Sequence, residues 1–353
     1  MKLAKVVVFA FLFLTSCSNN TPPAETPAPA AEPAAPAVDP LGTMNVPADN
    51  AVTPEKAALG KQLFFDTRLS KTGMMSCESC HFPDKGWADG KALSTRFDGT
   101  VNTRHTPTLI NVGYYNQWYW DGRAATLEAQ VTAAWRGQMG GDPDAVAMTL
   151  NGVEGYKTAF QNVFGGPATG ANIAQAIATF VRTIKSQDSA WDRYEKGDKT
   201  AVSQEVIDGF DVFSNTEKAN CTLCHLPPLY TDTLFHNIGV GYDKPMPDQG
   251  RGKILADAAK ANNTENPEAA KLMGAFKTPS MRSVTEHAPY FHNGSGATLE
   301  QVVDFVLAGG TKNPNLDEKL QARQISAEDK AKLIAFIRAL TPAPTPFEPP
   351  QIP

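Results

Sequence analysis

Apolar residues recur at helical spacing in four stretches of this chain, and nowhere do they alternate with polar ones over the length a strand needs. Residues 55–65 (EKAALGKQLFF) space Leu59, Leu63 and Phe64 along one face, and residues 205–213 (EVIDGFDVF) do the same with Val206, Phe210 and Phe213. Residues 171–184 repeat Ile173, Ile177, Phe180 and Ile184. Ser326 to Asp329 read as a capping box that opens a helix over 327–340, with Leu333, Phe336, Ile337 and Leu340 inward. The pattern predicts a mainly α fold with long irregular loops.

The ends of the chain behave differently. Residues 1–17 (MKLAKVVVFAFLFLTSC) carry Lys2 and Lys5, then an apolar run too short to span a bilayer. The run Leu14-Thr15-Ser16-Cys17 resembles a bacterial lipobox, which predicts a signal peptide over 1–17 and lipidation of Cys17. The expected location is the periplasm, with the protein held to a membrane by the lipid alone, and Ser18 is compatible with the outer membrane. Residues 18–44 are rich in Pro, Ala and acid and poor in large apolar residues, as in an extended, disordered tether. The remaining length predicts two domains, 45–200 and 201–345, with a tail at 346–353. Loss of Lys2 and Lys5 leaves 30 basic against 37 acidic residues, a formal charge of −7, which argues against a nucleic-acid partner.

Five cysteines are present, and four form two CxxCH units: Cys77, Cys80 and His81, then Cys221, Cys224 and His225. A zinc site needs four ligands, yet the two cysteine pairs are far apart in sequence and each histidine adjoins a cysteine. A redox dithiol gives no reason for the histidine to recur. Covalent haem accounts for every element: the thiols add to the vinyl groups and the histidine ligates iron. The expected cofactors are two haem c groups, one near the start of each domain.

Residues LGKQLFFDTRLS (59–70), CESCH, TRHTPTLINVGY (103–114), WDGRAATLEAQ (120–130), CTLCH and 276–303 together resemble the bacterial dihaem cytochrome c peroxidase family, which includes the MauG-type enzymes. The resemblance implies two cytochrome c-like domains, a peroxidatic haem in the first and an electron-transfer haem in the second. It makes His81 and His225 the proximal ligands and places Trp120 between the haems as a relay. Gln130 falls beside the catalytic pocket, Arg123 near a haem propionate, and His292 near a haem edge.

Four positions depart from the family pattern. The loop 95–101, with Phe97 where many peroxidases carry a removable histidine, contains none. Gln138 takes the place of the catalytic glutamate, and an amide cannot relay the proton that peroxide cleavage moves between its oxygens. Asp142, Asp144 and Glu128 are the acids near enough in sequence to substitute. Val306 falls where a methionine or tyrosine ligates the second haem, with Met273 and Met281 as nearby alternatives. The interdomain calcium positions become His105, His287 and Pro289, which suit calcium poorly. Two buried neutral histidines are expected there instead, with a hydrogen-bonded pair or a softer metal as the alternatives.

The expected activity is reduction of hydrogen peroxide to water with electrons from a small cytochrome c or cupredoxin. A MauG-like oxidase acting on a protein or small molecule, and a non-catalytic electron carrier or haem sensor, are the alternatives. A homodimer is held open.

Overall fold

The computed structural model describes residues 39–186 and 188–353. Cys17, the signal peptide and most of the tether lie outside the described residues. The packed chain already begins before Met44: Leu41 is buried, and the Asp39 carboxylate accepts from Lys185 Nζ and Tyr114 Oη, both at 2.6 Å.

Helices dominate, as the periodicity predicts. The first half contains α1 (Pro54–Phe65), α2 (Leu127–Met139), α3 (Pro143–Asn151), α4 (Glu154–Phe164) and α5 (Gly170–Arg182). The second contains α6 (Ala190–Glu195), α7 (Gln204–Ser214), α8 (Gly250–Ala261), α9 (Pro267–Lys271), α10 (Leu299–Leu307) and α11 (Ala327–Ala339). Two strands of two residues each, β1 (Phe235–His236) and β2 (Phe276–Lys277), pair antiparallel. Local sequence explains the helix ends. Thr53 caps α1 through a bond from Lys56 N, with Pro54 following, and Gly140 ends α2 in the left-handed region. Ser326 caps α11 by accepting from Asp329 N; the return bond that would complete a capping box is not formed.

Two apolar cores result. The first gathers Leu63, Phe64, Leu127, Trp135, Tyr156, Phe160 and Ile177, among others. The second gathers Trp191, Val212, Phe213, Tyr230, Leu333, Phe336 and Ile337. Each is built on one close helix crossing with a glycine at its centre. A Cβ on Gly60 of α1 would lie 1.9 Å from the Ala176 carbonyl oxygen of α5, and one on Gly209 of α7 would lie 2.0 Å from the Lys332 carbonyl oxygen of α11. Both crossings therefore require glycine, and each sits behind one CxxCH turn.

The halves are joined along residues 104–122. Arg104 pairs with Asp121 at 2.5 Å and, through two nitrogens, with Asp248 at 2.7 and 2.9 Å. Arg251 donates to the carbonyls of Asp121 and Gly122, the His105 amide to His292 O (2.7 Å), and the Lys277 amide to Trp120 O (2.8 Å).

Candidate active site

Each CxxCH unit begins with a single 3₁₀ turn, Cys77–Ser79 and Cys221–Leu223. That turn nearly eclipses positions i and i+3, so both cysteines of a pair face the same way. They open, with both histidines, into one continuous cavity of about 600 Å³. Burial pushes the thiols of Cys77 and Cys221 up to about 12, the reverse of the depression that makes a CxxC pair redox-active.

The histidines are held alike. His81 Nδ1 lies 2.8 Å from Trp87 O, and His225 Nδ1 lies 2.9 Å from Tyr230 O. A carbonyl can only accept, so Nδ1 carries the proton in both rings and Nε2 keeps a free lone pair. Burial lowers the basicity of both imidazoles, and neutral rings are what iron ligation requires. Trp87 and Tyr230 both have positive φ, 59° and 54°, which is uncommon for bulky residues and costs on the order of 1 kcal/mol. In each half that turn aims a carbonyl at the histidine. The thiol pairs, the two anchored imidazoles and the apolar cavity fit two covalent haem groups.

One ridge of α2 lines the cavity with Gln130, Ala134 and Gln138. Gln138 Oε1 is buried with no hydrogen-bond partner. The acids considered as its substitutes are placed elsewhere. Asp142 caps α3 by accepting from the amides of Asp144 and Ala145, and Asp144 is exposed. Glu128 grips Arg182 through both oxygens (2.6 and 3.2 Å) and Asn50 (2.7 Å). None of the three lines the cavity. Among the described residues its one carboxylate is Asp317, which is bound to His236 beside the second CxxCH unit. None of these three acids is therefore turned to the cavity that Gln138 faces.

Trp120 lines the cavity and donates Nε1–H to His105 O at 2.9 Å. Arg123 also lines it, while pairing with Asp121 (2.9 Å) and lying over the Tyr119 ring (3.6 Å). His292 stacks on Phe276 with centroids 3.5 Å apart. Val306 is on the cavity face of α10, together with Val302 and Val303; Met281 lines the cavity and Met273 does not.

His105, His287 and Pro289 also reach the cavity wall. His105 Nδ1 donates to Lys91 O at 2.8 Å, so its ring offers nitrogen where calcium needs oxygen, and this donor set does not fit calcium. Burial, with His105 beside it, depresses His287 to about 4, and its Nε2 has no partner. The two rings are buried and neutral but do not form a hydrogen-bonded pair.

Two polar groups on the wall carry no signal in the sequence. His236 bridges Asp232 (2.9 Å) and Asp317 (2.5 Å). Lys277, which follows Phe276 in β2, is buried with Nζ on Gln117 O (2.9 Å) and over the Tyr115 ring (4.1 Å), and burial pushes it down to about 7. Neither stands in a pattern that marks it, because its partners come from distant loops.

A family model described as di-haem cytochrome c peroxidase matches residues 54–200. The cytochrome-c peroxidase IdrP1 of Denitromonas iodatirespirans is 38% identical over 320 residues, 84% of either chain. The methylamine utilization protein MauG of Methylorubrum extorquens is 38% identical over 313 residues, 87% of this chain and 84% of that one. Among solved structures, a MauG-like protein associated with microbial copper homeostasis aligns with a TM-score of 0.77 at 29% identity, covering 87% of this chain and 95% of its own.

Proposed function

The chain belongs to the dihaem cytochrome c peroxidase and MauG family, and from that premise we propose that it reduces hydrogen peroxide to water at the first haem with electrons that enter at the second. Covalent haem supplies the redox-active iron. The chain's own residues do the rest: His81 and His225 each present Nε2 with Nδ1 anchored, and Trp120, which lines the cavity they share, is the relay in this reading. The observation that carries this reading is that both CxxCH units open into a single cavity with Trp120 in its wall.

The electron donor in this reading is a small cytochrome c or cupredoxin. Leu223 and Leu226, exposed on either side of Cys224 and His225, give such a donor apolar surface at the second haem. Export to the periplasm, a lipid anchor at Cys17 and an outer-membrane location complete the proposal, and they rest on the lipobox-like run. The interdomain position works without calcium in this reading, because His105 and His287 stand there.

A second reading is favoured by one observation, the unpartnered Gln138 in a first cleft lined by no carboxylate. Without a carboxylate in the position of the family's glutamate to relay the proton, peroxide cleavage is slow. Slow cleavage suits a MauG-like oxidase that acts on a protein or small molecule once per encounter. Steady-state peroxide consumption with a reduced cytochrome donor separates the two. Rapid turnover supports the peroxidase. Slow turnover accompanied by oxidation of an added substrate supports the oxidase. No reaction with either leaves a carrier or sensor and overturns both.

A further inference from the structure

The chain does not stop at the second core. After α11 it runs back across the first half as residues 341–353, a segment that contains Pro342, Pro344, Pro346, Pro349 and Pro350. Prolines favour an extended backbone and donate no N–H, so such a segment docks by accepting bonds and by apolar contact. Lys61 Nζ donates to Glu348 O (2.8 Å), Gln62 Nε2 to Gln351 O (3.1 Å) and Arg68 Nη2 to Pro353 O (2.8 Å). Phe347 stacks on Phe65 (5.3 Å, 20°) beneath the Lys61 ammonium (4.4 Å) and meets the Trp87 ring edge-on (5.2 Å, 85°).

Trp87 is the residue whose carbonyl holds His81. Its positive φ persists because its ring is wedged among others, and those neighbours are Phe64 and Phe180, both at 5.8 Å, and Phe347. The second half holds His225 through Tyr230, whose ring is packed by Phe213 and Phe336 of α7 and α11, both at 5.9 Å. Those two correspond to Phe64 and Phe180 on α1 and α5. The wall supplied by Phe347 is the part of the first box that α1 and α5 do not provide.

We propose that Phe347 is a positioning residue for the first haem: the C-terminal strap wedges Trp87 so that its carbonyl grips His81 Nδ1, and this sets the electron-donating strength of the proximal imidazole. A firm Nδ1–H···O=C bond raises ligand basicity and favours ferric iron. The proposal rests on His81 being the proximal ligand.

The test uses the full holoprotein with both haems. Three changes loosen the strap: Phe347→Ala, deletion of residues 346–353, and Lys61→Ala, which leaves the aromatic ring in place. The expected result is a lower Fe–His stretching frequency in the resonance Raman spectrum of the reduced protein. The midpoint potential of the haem on Cys77 and Cys80 rises, the haem on Cys221 and Cys224 does not move, and Phe347→Tyr restores both values. An unchanged first haem in the truncated protein overturns the proposal, as does an equal shift at both haems, which marks general loosening. His81→Gly is measured alongside. If it leaves the first haem's ligation unaltered, the ligand assignment fails and the proposal with it. If it alters the ligation while the truncation does not, the strap's role alone fails.

Discussion

Phe97 donates its backbone N–H to the carbonyl of Gln138 at 2.9 Å, and the Phe97 ring packs where a Cβ on Gly140 would come within 2.6 Å. The loop 94–102 is thereby fastened to the end of α2, and it is closed on itself by bonds from the Arg96 amide to Thr100 O and the Asn102 amide to Ser94 O. The loop holds no histidine, and it turns Arg96 and Asn102 to the cavity, where Gln138 of α2 presents an amide in place of a carboxylate. Restoring a titratable group should therefore be sufficient to speed the chemistry. Gln138→Glu is expected to raise peroxide turnover on the order of 10²-fold, the usual share of a general acid–base group. The gain should follow a carboxyl whose pKa burial holds above the usual value. Gln138→Leu should leave turnover at the wild-type level. Steady-state consumption of peroxide across pH with a reduced donor is the measurement, and equal rates for Glu and Gln would defeat the argument.

Glu128 offers the converse. Its carboxylate is committed to Arg182, which is 1% exposed, so Glu128→Gln leaves a buried guanidinium without its counter-charge. Breaking such a pair costs about 3–5 kcal/mol. Denaturant unfolding should show that loss. Turnover per folded molecule and the haem spectra should not change. A selective loss of activity with unaltered stability would return Glu128 to the list of proton donors.

Trp120 is fixed at both ends, its Nε1–H on His105 O and its own carbonyl on Lys277 N. Trp120→Phe keeps an aromatic body but lacks the indole N–H, and its carbonyl can still bind β2. If the indole is the relay, oxidation of the second haem by peroxide added to the reduced protein should slow by about tenfold, equivalent to roughly 1.4 kcal/mol of barrier. Binding of carbon monoxide to the first haem should be unaffected. Stopped-flow absorbance at the two haems reads both, and an unchanged rate would make Trp120 a packing residue.

How much of this was legible in the sequence depends on whether the signal is local. The helices that carry the cores were read from spacing, because Leu59, Leu63 and Phe64, or Leu333, Phe336 and Ile337, repeat with the period of the element they form. Both CxxCH units were legible because cysteine and histidine lie within five residues of one another. The fates of Glu128 and Asp142 were not. Both are acids near Gln138 in sequence, and only the packing of α2 against α5 shows that one faces Arg182, while the other spends its carboxylate on the start of α3. Phe347 was least legible, since a single aromatic in a proline-rich tail has no period, and its partners are some 260 residues or more earlier.

His236 gives a pH dependence with a definite sign. Burial alone would lower its pKa, but the hydrogen bonds its ring N–H groups donate to the carboxylates of Asp232 and Asp317 raise it above the usual histidine value. A group whose folded pKa exceeds its unfolded value, near 6.5 for histidine, binds protons more tightly when folded. The stability it contributes is therefore complete below about pH 6.5 and disappears as pH rises through the raised folded value. His236→Gln should destabilise the holoprotein by about 2 kcal/mol at pH 6, the scale of hydrogen bonds to a charged group. The gap between variant and wild type should close progressively as pH is raised through that folded value. Thermal unfolding of both proteins across that range tests it. A gap that stays constant with pH would show that the imidazole is neutral in the fold and that one of the two carboxylates carries the proton between them.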